Sequence, residues 1–184
     1  MRNPLKQLSA RLGAAERFLA GLAACLMATL ILINVFTRSI DAPIYWIDEA
    51  AVFTMIWMVF IGGSATFKFR EQVSVTLVTD NVPGAVRRWL NTLVDLLVLV
   101  FAVLMMVLCW LWYDPLTLAS FGFELSAFSA ATFNFMYDQP TATLGIATFW
   151  IWLVLPIFSI NLTIHALSNL LDTAFGDRPD AGCA

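Results

Sequence analysis

The stretch FLAGLAACLMATLILINVF, Phe18–Phe36, runs for 19 residues without a charged side chain. A helix needs about 20 apolar residues to cross the hydrocarbon core of a bilayer, which is roughly 30 Å thick. A helix also suits that environment because it satisfies its own backbone hydrogen bonds in lipid. Three further apolar runs meet the same requirement, and we predict four spans, at about 18–36, 46–67, 89–113 and 148–170.

The composition of the whole chain points to lipid as its solvent. Of its 184 residues, 60% are hydrophobic and 12% are charged, and the mean hydropathy is +0.82. A soluble domain usually carries about 25% charged residues. The net charge of −3 is small and does not bear on nucleic acid, but the sequence lacks the basic face that binding a phosphate backbone needs. We therefore predict an all-α fold: one polytopic membrane domain over 1–184, with membrane lipids around it.

Lysine and arginine predict the orientation of the spans, because these residues favour the cytoplasmic side. Nine of the ten lysine and arginine residues lie in the two terminal segments or in the inner loop, 68–88, and Arg38 alone lies on the other side. This distribution predicts that both termini are cytoplasmic and that the loop 114–147 faces out. The first run continues to Phe36, well past the lipoprotein-like box Leu22–Cys25, which favours an uncleaved anchor over a signal peptide.

The two longer loops are expected to contain short helices at the membrane surface. The alternating stretch 73–78 of the inner loop is interpreted as an interfacial helix that ends before Pro83 and Gly84. The outer loop is rich in phenylalanine, and its polar residues favour an outer-surface or re-entrant helix over a fifth span. Contact of this helix with a partner and contact with lipid alone both stay open.

Charged residues at the membrane are the sharpest candidates for a site. Asp95 lies about 9 Å into the third span, at 1.5 Å per residue from Trp89. An intramembrane carboxylate is a functional candidate by default, but we favour a structural role over proton or ion coupling. Arg38 can pair with Asp48 or Glu49 and clamp the hairpin of spans one and two, since both acids suit the start of a helix.

Other residues indicate assembly rather than chemistry. Gly62 and Gly63 form a small-residue patch that lets another helix approach closely. His165 is the only histidine in the sequence, and the nearest acidic residue, Asp172, is two turns away on the same helix. We therefore favour polar packing near a membrane end for His165 over a role as a metal or haem ligand. The motifs of phosphate loops, serine hydrolases and zinc proteases are absent from the sequence. We predict no enzyme activity, no cofactor and no catalytic or metal site.

Several segments resemble the small membrane (DctQ-like) subunit of the tripartite ATP-independent periplasmic (TRAP) transporters. An arginine ends span one in NVFTR (34–38), and PIYWIDE (43–49) has the family's Trp-x-acid-Glu start to span two. WMVFIGG (57–63) carries its Trp-x-x-Phe-x-Gly run, and the match continues through KFREQV (68–73) to DNVP (80–83).

The resemblance implies a three-part, sodium-driven importer of an organic acid in a bacterial inner membrane. A periplasmic substrate-binding protein captures the acid, and a large membrane subunit carries it by an elevator-type movement. This chain would be a scaffold for the large subunit and part of the docking surface. The residues expected to serve as clamp or partner contacts are Arg38, Trp46, Asp48, Glu49, Gly62 and Gly63.

Two rival functions come from other classes of membrane protein. A membrane anchor subunit of a quinone-linked oxidoreductase would be expected to carry paired histidines or reactive cysteines. A small standalone channel or exporter would be expected to repeat polar residues along one helix face, where only Asp95 and Asn161 come close. Both rank below the transporter subunit.

Overall fold

The computed structural model describes residues 4–69 and 83–174 of the chain. Within these residues the chain forms four long helices and three short ones. Four stretches are long and apolar enough to cross a membrane: Pro4–Ser39, Trp46–Phe69, Val86–Ser120 and Phe149–Thr173. The only β pairing within the described residues is an isolated bridge between Pro140 and Ala147. The predicted all-α polytopic membrane fold is therefore confirmed. The helices are α1 (Pro4–Ser39), α2 (Trp46–Phe69), α3 (Gly84–Tyr113), α4 (Pro115–Ser120), α5 (Leu125–Thr132), α6 (Phe149–Trp152) and α7 (Val154–Ala174).

The first helix extends far beyond the predicted span towards the N-terminus. α1 has 36 residues, which corresponds to about 54 Å at 1.5 Å per residue, whereas the hydrocarbon core is about 30 Å thick. Ser9, Gly13 and Glu16 recur at helical spacing in the extra turns and are buried. The N-terminal turns of α1 therefore pack as part of the bundle, while the limits of the bilayer-crossing segments stay predictions.

α7 is the central helix of the bundle, because it packs against α3, α2 and α1, while α1 and α2 form an antiparallel hairpin. One cluster of buried apolar residues in the bundle consists of Phe67, Ala102, Leu162 and Ala166. At the predicted inner end, a Cβ atom on Gly13 would lie 3.0 Å from Lys68 Cγ. Only a glycine permits so close an approach of the two helices without a shift of the lysine stem.

The fourth span is a helix with a break near its start. α6 ends at Trp152, and α7 begins at Val154 after a single turn residue. Pro156 has no backbone N–H and so cannot bond to the carbonyl four residues earlier, that of Trp152. The proline accounts for the break within a stretch whose apolar residues predicted one continuous span.

The loop 114–147 forms a small cap on the end of the bundle that carries the α1–α2 turn, called the outer end here after the predicted orientation. Its centre is Phe128, which is fully buried and contacts the rings of Phe121 and Tyr137. Burial raises the pKa of Tyr137, and the charge of Asp114 adds to this effect. The neutral hydroxyl donates a hydrogen bond to the carbonyl of Tyr113, at 2.6 Å. Two short helices, α4 and α5, thus occupy the region where one surface helix was expected.

Large apolar side chains are exposed on every long helix, including Phe18, Val59, Leu97 and Ile160. Soluble monomers rarely expose apolar patches of more than a few hundred Å², so lipid or membrane partners cover these faces. The predicted interfacial helix of the inner loop lies outside the described residues. The predicted orientation of the termini stays a prediction.

Candidate functional site

Three polar side chains form the outer cluster, which we define as Asn34, Arg38 and Asp48, at the turn between α1 and α2. Arg38 Nη2 lies 2.5 Å from Asp48 Oδ2, and Arg38 Nε donates to Asn34 Oδ1 at 3.1 Å. The Asn34 amide also donates to Asp48 Oδ1, which closes the triangle. Arg38 lies in the last turn of α1 and Asp48 in the first turn of α2, so each charge is also favoured by its helix dipole.

Glu49 does not share this triangle, although it was an alternative partner for Arg38. Its carboxylate accepts the backbone N–H groups of Ala142, Thr143 and Leu144, at 2.8, 2.7 and 2.8 Å. The Thr143 hydroxyl donates to the same carboxylate. Successive N–H groups that converge on one anion form a nest. Glu49 therefore attaches the outer loop to the start of α2.

The other residues expected at partner contacts lie in different surroundings. Trp46 begins α2 and is about half exposed, next to the buried Ile47. A Cβ atom on Gly62 would lie 3.6 Å from the Cβ of Ala20, so this glycine faces α1 within the chain. Gly63 is exposed, and a Cβ atom there would lie 4.0 Å from the Phe158 ring. Among these residues, Trp46 and Gly63 present surface outwards, and Gly62 serves the hairpin.

Asp95 lies at the contact between α3 and α7. Its side chain is 1% exposed, and Oδ2 accepts the hydroxyl hydrogen bond of Thr173 at 2.9 Å. The carbonyl of Thr173 lies 3.4 Å from two guanidinium nitrogens of Arg88, which is about two turns from Asp95 on α3. The carboxylate therefore joins two helices, the geometry expected of a structural group.

A second polar cluster joins α1 to α7 near the predicted inner end and was not foreseen from the sequence. We define this inner cluster as Ser9, Glu16, Asn161 and His165. His165 Nε2 lies 2.9 Å from Glu16 Oε2, and its Nδ1 lies 2.8 Å from Ser9 Oγ. Asn161 Nδ2 donates to the other Glu16 oxygen at 2.9 Å.

The structure corrects the surroundings expected for His165. Its acidic neighbour is Glu16 of α1, whereas Asp172, the acid named from the sequence, pairs with Lys6 at 3.2 Å. Because both ring nitrogens of His165 are hydrogen-bonded inside the chain, neither is left to bind a metal or haem iron. In the described residues no group of three or more His, Cys, Asp or Glu side chains could hold a metal ion.

One signal for the inner cluster was present in the sequence. Ser9, Gly13 and Glu16 are spaced four and three residues apart, which places them on one face of a helix. The apolar residues Leu5 and Leu12 continue the helical pattern upstream of Phe18. The pattern predicts an N-terminal extension of the helix, but it does not name the helix that the extension packs against.

These contacts, together with the fold, define the class of protein: a small polytopic membrane protein whose polar clusters join its own helices at both ends. A family model described as "Tripartite ATP-independent periplasmic transporters, DctQ component" matches residues 27–176, most of the chain. The chain belongs to this DctQ family of TRAP transporter components.

A curated relative is similar to this chain over most of the chain's length. This relative is the sialic acid TRAP transporter permease protein SiaT of Haemophilus influenzae (strain 86-028NP). The two are 24% identical over 146 residues, which cover 79% of this chain and 20% of the relative. The chain thus spans about a fifth of the length of the curated relative that it matches.

Proposed function

We propose that this chain is the scaffold subunit of a sodium-driven TRAP importer of an organic acid in a bacterial inner membrane. The observation that carries the proposal is the family match over residues 27–176. The relative contains much further sequence beyond the part similar to this chain, which supports a large membrane subunit as the main partner. Its name gives sialic acid, a carboxylic acid, which supports an organic acid as the class of substrate.

The use of polar side chains supports a scaffold rather than a conduit. The outer cluster joins α1 to α2, Glu49 joins α2 to the outer loop, and the inner cluster joins α1 to α7. Asp95 joins α3 to α7 through Thr173. Polar groups that line a transport path inside a membrane must be able to exchange partners with the ion or substrate. These groups instead bond neighbouring helices, as suits a subunit that stays fixed while its partner moves.

The outer end is the surface that we propose for docking the periplasmic substrate-binding protein. The side chains of Arg38 and Asp48 remain 58% and 50% exposed there, and Trp46 is exposed beside them. Exposed charges at the rim of an interface mainly steer association and set its salt dependence. An exposed tryptophan supplies the kind of aromatic anchor that dominates many interfaces.

Reconstituted transport tests the proposed function. The chain, the large membrane subunit encoded with it and the binding protein would be placed in liposomes with an inward sodium gradient. Uptake of a panel of radiolabelled organic acids should require the chain and should stop when the sodium gradient is removed. Equal uptake by the large subunit without this chain would contradict the scaffold role, and uptake that is independent of sodium would contradict the coupling.

A further inference from the structure

The loop cap carries a group of aromatic and aliphatic side chains that are exposed. The cap has an inner layer, in which Leu118, Phe128 and Met136 are each at most 6% exposed. Other apolar residues of the same segment are more than half exposed, whereas the Phe121 ring packs against Phe128. We define the outer phenylalanine surface by these exposed residues, which are Leu116, Phe123, Phe133 and Phe135.

Two of these phenylalanines have unusual backbone conformations. Phe123 has φ 64° and Phe133 has φ 57°, in the left-handed region, and their side chains are 69% and 81% exposed. Positive φ is a genuine outlier for a bulky residue and persists only when the surrounding structure enforces it. The backbone of the cap therefore holds Phe123 and Phe133 in place while their side chains stay exposed.

Hydrogen bonds attach this surface to the end of α3. Asn134 Nδ2 donates to the carbonyl of Trp112 at 2.6 Å, and the Tyr137 hydroxyl donates to that of Tyr113. Tryptophan and tyrosine typically mark the level of the membrane–water interface. Trp110 and Leu111 next to them are exposed and continue the apolar face of the spanning helix α3. The loop residues 134 and 137 are therefore attached at the aromatic end of α3, beside exposed apolar residues of that helix.

We propose that the outer phenylalanine surface is inserted into the lipid of the outer leaflet, at the boundary between headgroups and acyl chains. Exposed phenylalanine and leucine side chains favour this boundary because they gain an apolar environment there. Glu124 is the only charged residue between Pro115 and Tyr137, so insertion removes little charge from water. The inference concerns lipid contact of this chain and does not depend on the proposed transport function.

Photocrosslinking in the native membrane tests the proposal with the partners present. The variants Phe123→p-benzoylphenylalanine and Phe133→p-benzoylphenylalanine keep an aromatic ring at each position, and Gln139→p-benzoylphenylalanine is a control at an exposed polar position of the same loop. After irradiation, intact-protein mass spectrometry distinguishes a phospholipid adduct from a crosslinked protein. We expect phospholipid adducts at 123 and 133 in severalfold greater yield than at 139.

Two results would overturn the proposal. A protein crosslink at 123 and 133 would mean that a partner subunit covers this surface. An absence of any adduct at these positions, while Leu97→p-benzoylphenylalanine on the exposed apolar face of α3 gives an adduct, would mean that water surrounds the outer phenylalanine surface. The adduct at position 97 shows that the photoreaction works in the folded chain.

Discussion

The inner cluster leads to the sharpest prediction about stability, because it joins two helices whose contact was not evident from the sequence. Glu16→Leu would leave His165 Nε2 and Asn161 Nδ2 without their acceptor in a site where His165 is fully buried. Removing one partner of a buried ion pair typically costs about 3–5 kcal/mol. Hydrogen bonds between helices in membranes average only about 0.6 kcal/mol each, because the unfolded reference state also finds partners.

The two magnitudes bracket the expected loss for Glu16→Leu. The loss of two hydrogen bonds sets a lower bound of about 1 kcal/mol, and the loss of a buried ion pair sets an upper bound of about 5 kcal/mol. Replacing both partners by apolar residues of similar size is often neutral. The double variant Glu16→Leu/His165→Phe should therefore be more stable than the sum of its two single changes predicts.

Reversible unfolding of the purified chain in mixed detergent micelles would measure these free energies. Gln7→Leu is the matched control, because Gln7 is an exposed polar residue on the same helix, and its change should stay within about 0.5 kcal/mol. Two results would contradict a stabilising role for the inner cluster. One is a loss for Glu16→Leu no larger than that of the control, and the other is strict additivity in the double variant.

Three further predictions concern the outer end and α3. Arg38→Glu should lower assembly with the large subunit, as measured by co-purification, and the charge swap Arg38→Asp/Asp48→Arg should partly restore it because the pair is re-formed; no restoration would argue against the pairing. Asp95→Asn should leave the ratio of sodium to substrate unchanged in proteoliposome uptake, and a changed ratio would reveal a coupling role. Phe128→Ala should destabilise the chain by about 3–5 kcal/mol in the same unfolding measurement, as expected for a buried aromatic residue. Phe133→Ala should change the free energy of unfolding by no more than about 0.5 kcal/mol, because its side chain is exposed. Equal losses would contradict the two-layered cap.

The spans were predictable because they depend on local composition. Each apolar run is long enough to cross a bilayer on its own, whatever it packs against. The break before Val154 was also within reach, since Pro156 cannot complete the helical hydrogen bond to Trp152. The long apolar run led us to predict one continuous span, although a proline marks a position where a helix can be interrupted.

Local sequence patterns could not predict which partners the charged residues bind. Asp48 and Glu49 are adjacent in the first turn of α2, so their side chains point about 100° apart around the helix axis. Which of them meets Arg38 depends on the rotation of α2 against α1, which no local pattern reveals. The contact of Glu16 with His165 likewise joins residues 149 positions apart. It depends on the packing of α1 against α7, a tertiary feature.

The proposed function requires that this chain is a fixed subunit bound to a large membrane transporter. The most direct test is purification of the tagged chain from its native membrane in a mild detergent, with mass spectrometry of the proteins recovered with it. We predict a stable stoichiometric partner with many membrane spans. Recovery of the chain alone, or with subunits that carry haem or flavin, would contradict the claim.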